Sequence, residues 1–266
     1  DTFSIKEEKF INQIYHVNLG VSFDKKKIYD FLEKKNIFPT QIIDKTFLFI
    51  PIIIDQKGDE IKVFSDNPLY KNWNKIEKSN YLINYLLPTE DLEDFDLIKN
   101  NLNNIEKYDF KEIIEKYFLD HSIITLIFKN DEEIKILSKI NIKDKVLIKN
   151  NSFKGIDVNN GDKVENLIEK LKIIYEDIWK EHNQINTSIK LPLMIQVNNQ
   201  KLDISLKFEN NLDNIDLISD YSINKFNKDF IYYEIIFNGT PKNFINIMEN
   251  KNYNFNTQKK IWILNE

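Results

Sequence analysis

The stretch "TFLFIPIII", Thr46–Ile54, is short, rich in β-branched residues and apolar at almost every position. A strand with one face in water alternates polar and apolar residues. This run does not alternate, so it predicts a central strand covered on both faces, and covering both faces of a sheet requires helices on each side. An α/β (α+β) architecture with a mixed sheet follows. Pro51 removes one ladder donor, so the strand is expected to reach its end or an edge there. The apolar run Phe47–Ile54 is the longest in the chain and far short of the roughly 18 residues that cross a bilayer, so no transmembrane segment is expected.

Working outward, "DQKGDE" (Asp55–Glu60) has the Gly and polar residues of a turn, and "EIKVF" after it alternates like a short return strand. The polar, aromatic stretch "SDNPLYKNWNK" reads as a loop, whose Tyr70 and Trp73 either anchor a partner or ligand or cover the rim of a core, and "YLINYLL" as a strand. Upstream, "IYHVNLGVSFD" places Val17, Leu19, Val21 and Phe23 on one face of a half-buried strand. Asp24 then caps a helix whose apolar positions are Ile28, Phe31 and Leu32, with Pro39 marking the end of the connection.

Downstream, "LPTEDLEDFDLIKN" packs Glu90, Asp91, Glu93, Asp94 and Asp96 together. With Thr89 as N-cap, first-turn carboxylates are favoured by the helix dipole, and Leu92, Phe95 and Ile98 would share a buried face. The stretch has no glycine, so it is no calcium loop. "YDFKEIIEKYF" is expected as a helix begun by Asp109 and Glu112, followed by the strand "SIITLIF". "EEIKILSKI" and "KVLIKN" read as antiparallel strands. The clearest helix is "GDKVENLIEKLKIIYEDIWKEH", where Val164, Leu167, Ile168, Leu171, Ile174, Tyr175 and Ile178 fall at helical spacing.

The polar "HNQINTS" (His182–Ser188) marks a domain boundary. The expected division is 1–37, a remnant of an N-terminal strand–helix unit; 38–187, an α/β domain; and 188–266, a small ferredoxin-like domain. In the last, "LPLMIQV" and "LDISLKF" read as strands, "LDNIDLISDYS" as a helix, then strands near "INKF" and at "FIYYEIIF", the helix "TPKNFINIMEN" with Thr240 as cap and Pro241 at its first position, and the strand "KIWIL". From Leu202 that is a βαββαβ order.

The composition excludes several chemistries. There is no Cys, hence no disulfide, thiolate metal site or thiol nucleophile. There is no Ala and no Arg; all 37 basic residues are Lys, which with the abundance of Ile and Asn carries the imprint of an AT-rich genome. A net charge of −5 without arginine forks argues against nucleic acid as a partner. His16, His121 and His182 show no HExxH spacing, and the five glycines form no phosphate-binding loop. No catalytic residue, metal or cofactor is assigned. The expected partner-contact residues are Asn67, Tyr70, Trp73, Glu90 and Asp91. An alternative is a carboxylate hydrolase using Asp66 with Glu90 or Asp91, and another is a small-molecule sensor, which would need a deep apolar pocket between the domains.

The succession "VSFDKKKIYDFLEKKNI", "TFLFIPIIID", "DNPLYKNWN", "YLLPTEDLEDFDLI" and "EIIEKYFLDHSIITLIF" resembles the domain-of-unknown-function family 2066, an uncharacterised proteobacterial family. The tail "LISDYSINKFNKDFIYYEIIFNGTPKNFINIMENKNYNF" with "KKIWILNE" is similar to the C-terminal part of its longer alphaproteobacterial members. The resemblance implies a periplasmic or envelope-associated protein, non-enzymatic, that contacts other envelope proteins. It also implies a middle part similar to the TolB N-terminal domain, with "FIPIIID" and "SIITLIF" in its buried strands. Family members usually carry a signal peptide and a further N-terminal segment, and this chain begins at Asp1 without an export signal.

Overall fold

The computed structural model describes residues 2–55, 60–130, 133–143, 145–199 and 202–265. The chain divides into two compact units: Ile43–His182, and a second that combines Asp1–Ile42 with Asn183–Glu266. The junction at Asn183 falls within "HNQINTS", while the N-terminal segment up to Ile42 belongs with the C-terminal portion. The chain opens with the antiparallel hairpin β1 (Thr2–Ile11) and β2 (Ile14–Ser22), then helix α1 (Lys25–Lys34). Asp24 caps α1, accepting from the Lys27 N–H at 3.0 Å, as its sequence position suggests. The strand expected to be half-buried is not: β2 is exposed nearly throughout.

In the 43–182 unit, β3 (Lys45–Asp55) is the centre of a six-stranded mixed sheet. Strand β4 (Glu60–Lys62) pairs antiparallel with its end, and the short helix α2 (Pro68–Asn72) leads to β5 (Ile83–Leu86), parallel to its beginning. Two helices, α3 (Leu92–Asn100) and α4 (Lys111–Glu115), precede β6 (His121–Lys129), parallel to β3. Then β7 (Glu133–Ile142) and β8 (Lys145–Lys154) add antiparallel strands before the long helix α5 (Gly161–His182). One face of β3, with Phe47, Phe49 and Ile53, packs with Trp73 and the α5 stripe from Val164 to Trp179. The other face, with Leu48, Ile50, Ile52 and Ile54, packs with Ile98, Ile105, Phe110 and Ile113. Burial on both faces is why the strand is apolar without alternation, each side chain contributing roughly 1.5–3 kcal/mol.

Pro51 sits mid-strand, not at an end. It lies between the stretches that pair with β5 and with β4, so on that side no ladder bond is lost, and its carbonyl accepts from Asn67 Nδ2 at 3.0 Å. The expected turn at 56–59 lies outside the described residues.

Three local expectations change. "SDNPLYKNWNK" is no loop: it forms two 3-10 turns, Phe64–Asp66 and Trp73–Lys75, around α2. In "LPTEDLEDFD" the N-cap of α3 is Asp91, not Thr89, accepting from the Glu93 N–H at 2.8 Å. That two-residue shift leaves Leu92 82% exposed and turns Asp94 and Ile98 inward, with Lys116 Nζ 2.6 Å from Asp94 Oδ1. Before α4, Asp109 accepts from the Lys111 N–H at 3.1 Å while Phe110, at φ 58°, makes the entry turn.

The rest of the second unit comprises β9 (Leu191–Asn198), α6 (Leu202–Asp213), β10 (Ile218–Phe226), β11 (Phe230–Phe237), α7 (Pro241–Glu249), β12 (Asn254–Asn256) and β13 (Ile261–Asn265). "LDISLKF", expected as a strand, is the first half of α6, so the β-α-β-β-α order begins at β9 rather than at Leu202. The sheet order is β10-β11-β9-β13-β12. A direct crossover from β11 through α7 would deliver a strand antiparallel to β9. The added strand β12 reverses the chain once more, so β13 joins β9 in parallel. Thr240 caps α7 with Pro241 at its first position, as expected.

Candidate functional site

Helix α5 is amphipathic, yet its buried stripe contains two charged residues one turn apart, Lys172 and Glu176. Both are nearly inaccessible, Lys172 at 2% and Glu176 at 1%. Such groups are held in place only by specific partners. Glu176 accepts from the backbone N–H groups of Leu82 (3.0 Å) and Ile83 (2.8 Å), fixing the start of β5 against α5, with Lys180 Nζ 3.7 Å away. Lys172 Nζ donates to the Ile76 carbonyl at 2.5 Å. It also lies 4.9 Å from the ring centroid of Tyr85, 5.5 Å from that of Trp73 and 5.8 Å from that of Tyr81. A desolvated ammonium among aromatic faces gains cation–π attraction worth up to about 2 kcal/mol.

These residues border a cavity of ≈220 Å³ lined by Asn74, Glu77, Lys78, Tyr81, Ile83, Asn84, Tyr85 and Lys172. Burial lowers the Lys172 pKa from its usual 10.5 to about 8, opposed in part by Glu77 and Glu176. Burial pushes the Tyr85 phenol well above its ordinary value, and the negative charge of Glu176 adds to the effect. Tyr85 therefore stays protonated, and its buried hydroxyl has no hydrogen-bond partner. An ammonium has three donors and Lys172 directs one at Ile76. The cavity wall thus sets the Lys172 ammonium beside the Glu77 carboxylate and the Asn74 and Asn84 amides.

The residues singled out from sequence are dispersed in role. Trp73 is fully buried, stacked on Phe49 at 3.7 Å, and presents no ring to a partner; it serves as floor for Lys172. Asn67 is fully buried and structural, accepting from the Leu69 N–H and donating to the Pro51 and Lys62 carbonyls. Tyr70 is partly buried and donates to the Pro88 carbonyl at 2.6 Å. Glu90 is exposed, as is Asp66, and Asp91 caps α3 and pairs with Lys116 at 3.1 Å. The Lys116 contact and the Glu93 N–H hold the Asp91 carboxyl below its ordinary pKa, the reverse of what a general acid needs.

His121 opens β6 and is buried edge-on against Phe47 (4.9 Å) and Trp179 (5.6 Å); His182 stacks on Trp179; His16 is exposed on β2. Among the described residues no group of three or more His, Asp or Glu side chains is placed to hold a metal ion, and no helix is long and apolar enough to cross a membrane.

Sequence reading missed Lys172 because it treated Lys as uniformly solvated. The signal was positional: Lys172 lies four residues after Ile168 and three before Tyr175, inside the buried stripe. No protein-family model matches the chain, and no curated protein or solved structure is matched by it.

Proposed function

We propose that this chain is a non-enzymatic binding protein whose 43–182 unit takes up a small carboxylate-bearing molecule in the Lys172 cavity. The observation that carries this reading is a nearly buried ammonium, that of Lys172, on the wall of a small cavity, with one donor directed at the Ile76 carbonyl and others left for a ligand. A carboxylate is the acceptor that matches an ammonium, and a charge-assisted bond of this kind contributes roughly 1.5–3 kcal/mol. The cavity is smaller than the roughly 300–1,000 Å³ of drug-sized sites, so the ligand is of metabolite size.

Glu176, the buried carboxylate one turn from Lys172, is committed to two backbone N–H groups and is not a free acid or base. A carboxylate hydrolase built on Asp66, Glu90 and Asp91 lacks support from the lowered pKa of Asp91. The sequence resemblance to exported envelope proteins supports a periplasmic or envelope setting. Contact with other envelope proteins is the role it implies, although Asn67 and Trp73 are inside the core and cannot make that contact.

The test is titration of the full chain with benzoate and with succinate, followed by Trp fluorescence and calorimetry. Saturable binding is expected, weakened about 10- to 100-fold in Lys172→Met and weakened in wild type as pH passes above about 8, where the ammonium is lost. Equal affinity in Lys172→Met and wild type would refute the reading. Trapping of a pyruvate adduct on Lys172 by borohydride would instead identify an amine nucleophile and an enzyme.

A further inference from the structure

The hairpin β1–β2 has two unlike faces. Residues directly opposite in an antiparallel ladder point to the same side, and Phe3 faces Val21, Ile5 faces Leu19, Glu8 faces Val17 and Phe10 faces Tyr15. The register shift between Ile5 and Glu7 inserts one residue, which is what keeps Phe3 and Ile5 on the same side as Phe10 despite the broken alternation in sequence. The opposite side is polar through most of its length, with Ser4, Lys9 and His16 among its residues. The turn at Asn12 and Gln13, both at positive φ, is of the kind that matches the twist of a two-residue hairpin.

The apolar side is uncovered. Phe3, Ile5, Phe10, Tyr15, Val17, Leu19 and Val21 are between 41% and 77% exposed. At roughly 100 Å² of open surface each, they form a patch of about 700 Å², larger than the 300–600 Å² a monomer typically shows. A lone two-stranded ribbon is also marginal in water and needs a partner layer.

We propose that this face is covered by the same face of a second copy of the chain, the two hairpins stacking about a two-fold axis near Val17 into a four-stranded, two-layer sandwich. Two such patches remove about 1,400 Å² in total from water, within the 1,200–2,000 Å² of a stable specific interface. The one carboxylate on the face, Glu8, accepts a hydrogen bond from the Tyr15 hydroxyl beside it, which offsets part of the cost of covering it. The hairpin carries no net charge, Lys6 and Lys9 balancing Glu7 and Glu8, with Lys9 and Glu7 ion-paired on the polar side. The same neutrality, in a chain of net charge −5, gives an anionic lipid surface nothing to attract.

The experiment is sedimentation equilibrium of the full chain from about 1 to 100 µM, alongside Leu19→Glu, with far- and near-UV circular dichroism to establish folding. Because the chain has no cysteine, Val17→Cys and Lys6→Cys serve as single-thiol reporters under mild oxidation. The expected result is a reversible dimer in wild type, at least 100-fold weaker in Leu19→Glu, with covalent dimer from Val17→Cys and little from Lys6→Cys. A folded wild-type chain that stays monomeric at 100 µM overturns the proposal. So does a dimer indifferent to Leu19→Glu that crosslinks equally through Lys6→Cys. Binding to phosphatidylglycerol vesicles by a monomeric chain also overturns it and makes lipid the occupant. Should Leu19→Glu fail to fold, the two thiol reporters decide the matter.

Discussion

Lys172→Met tests the burial of the ammonium directly, through stability and its pH dependence. The native chain releases the Lys172 proton at about pH 8, the unfolded chain at about 10.5. Between those values the unfolded state holds more protons, so stability rises with pH; below about 8 both states are charged and the burial penalty is constant. The shift corresponds to roughly 3 kcal/mol in all, of which about 2 kcal/mol is regained between pH 7 and 9.5. In Lys172→Met that rise is absent. At pH 7 the variant is expected to be up to about 2 kcal/mol more stable, the removed penalty being reduced by the Ile76 carbonyl left without its donor.

The assay is guanidinium unfolding at pH 7, 8 and 9.5, followed by tryptophan fluorescence, to which Trp73 and Trp179 of the 43–182 unit respond. Tyrosines and other titrating groups are common to both chains and cancel in the difference. If the stability difference between wild type and variant changes by less than about 0.5 kcal/mol from pH 7 to 9.5, Lys172 is not a desolvated ammonium and the account of the cavity fails with it.

Trp73→Ala is expected to cost about 3–5 kcal/mol and loosen the 43–182 unit, because a fully buried indole stacked on Phe49 and touching the α5 side of the sheet leaves a cavity when truncated; chemical denaturation measures it, and a change below about 1 kcal/mol would return Trp73 to the surface. His121 is held below its ordinary pKa of 6.5 chiefly by burial, with Lys45 adding to the effect, so its neutral form is the native one. Unfolding then takes up a proton below about pH 6.5, and stability falls as pH drops from 6.5 toward the folded-state value. Denaturation between pH 7.5 and 5 should show a shallower loss in His121→Phe than in wild type, and equal slopes would contradict this placement.

Local grammar was legible where one pattern dominates. The apolar run of β3 and the heptad-like stripe of α5 each admit a single reading, and Asp24 and Thr240 cap helices because an N–H three residues on needs an acceptor. Ambiguity entered where two periods coexist. "LDISLKFENNLD" alternates through Leu206 but also places Ile204, Phe208 and Leu212 four apart. Burial of Phe208 and Leu212 against the second core, with Leu206 left exposed, selected the helix. The hairpin strand β1 escaped notice because its inserted residue breaks the alternation that would have marked it.

The sequence by itself determined the α/β class, the central strand and the long helix, because hydrophobic period is a property of the chain written residue by residue. Only the tertiary structure decided that Trp73 is core, that Lys172 and Glu176 lie inside and that the hairpin's apolar face lies outside. Burial depends on what arrives from elsewhere in the chain: Ile76 and Tyr85 reach Lys172 from nearly a hundred residues away, whereas Leu19 meets Ile5 across the hairpin and stays half exposed.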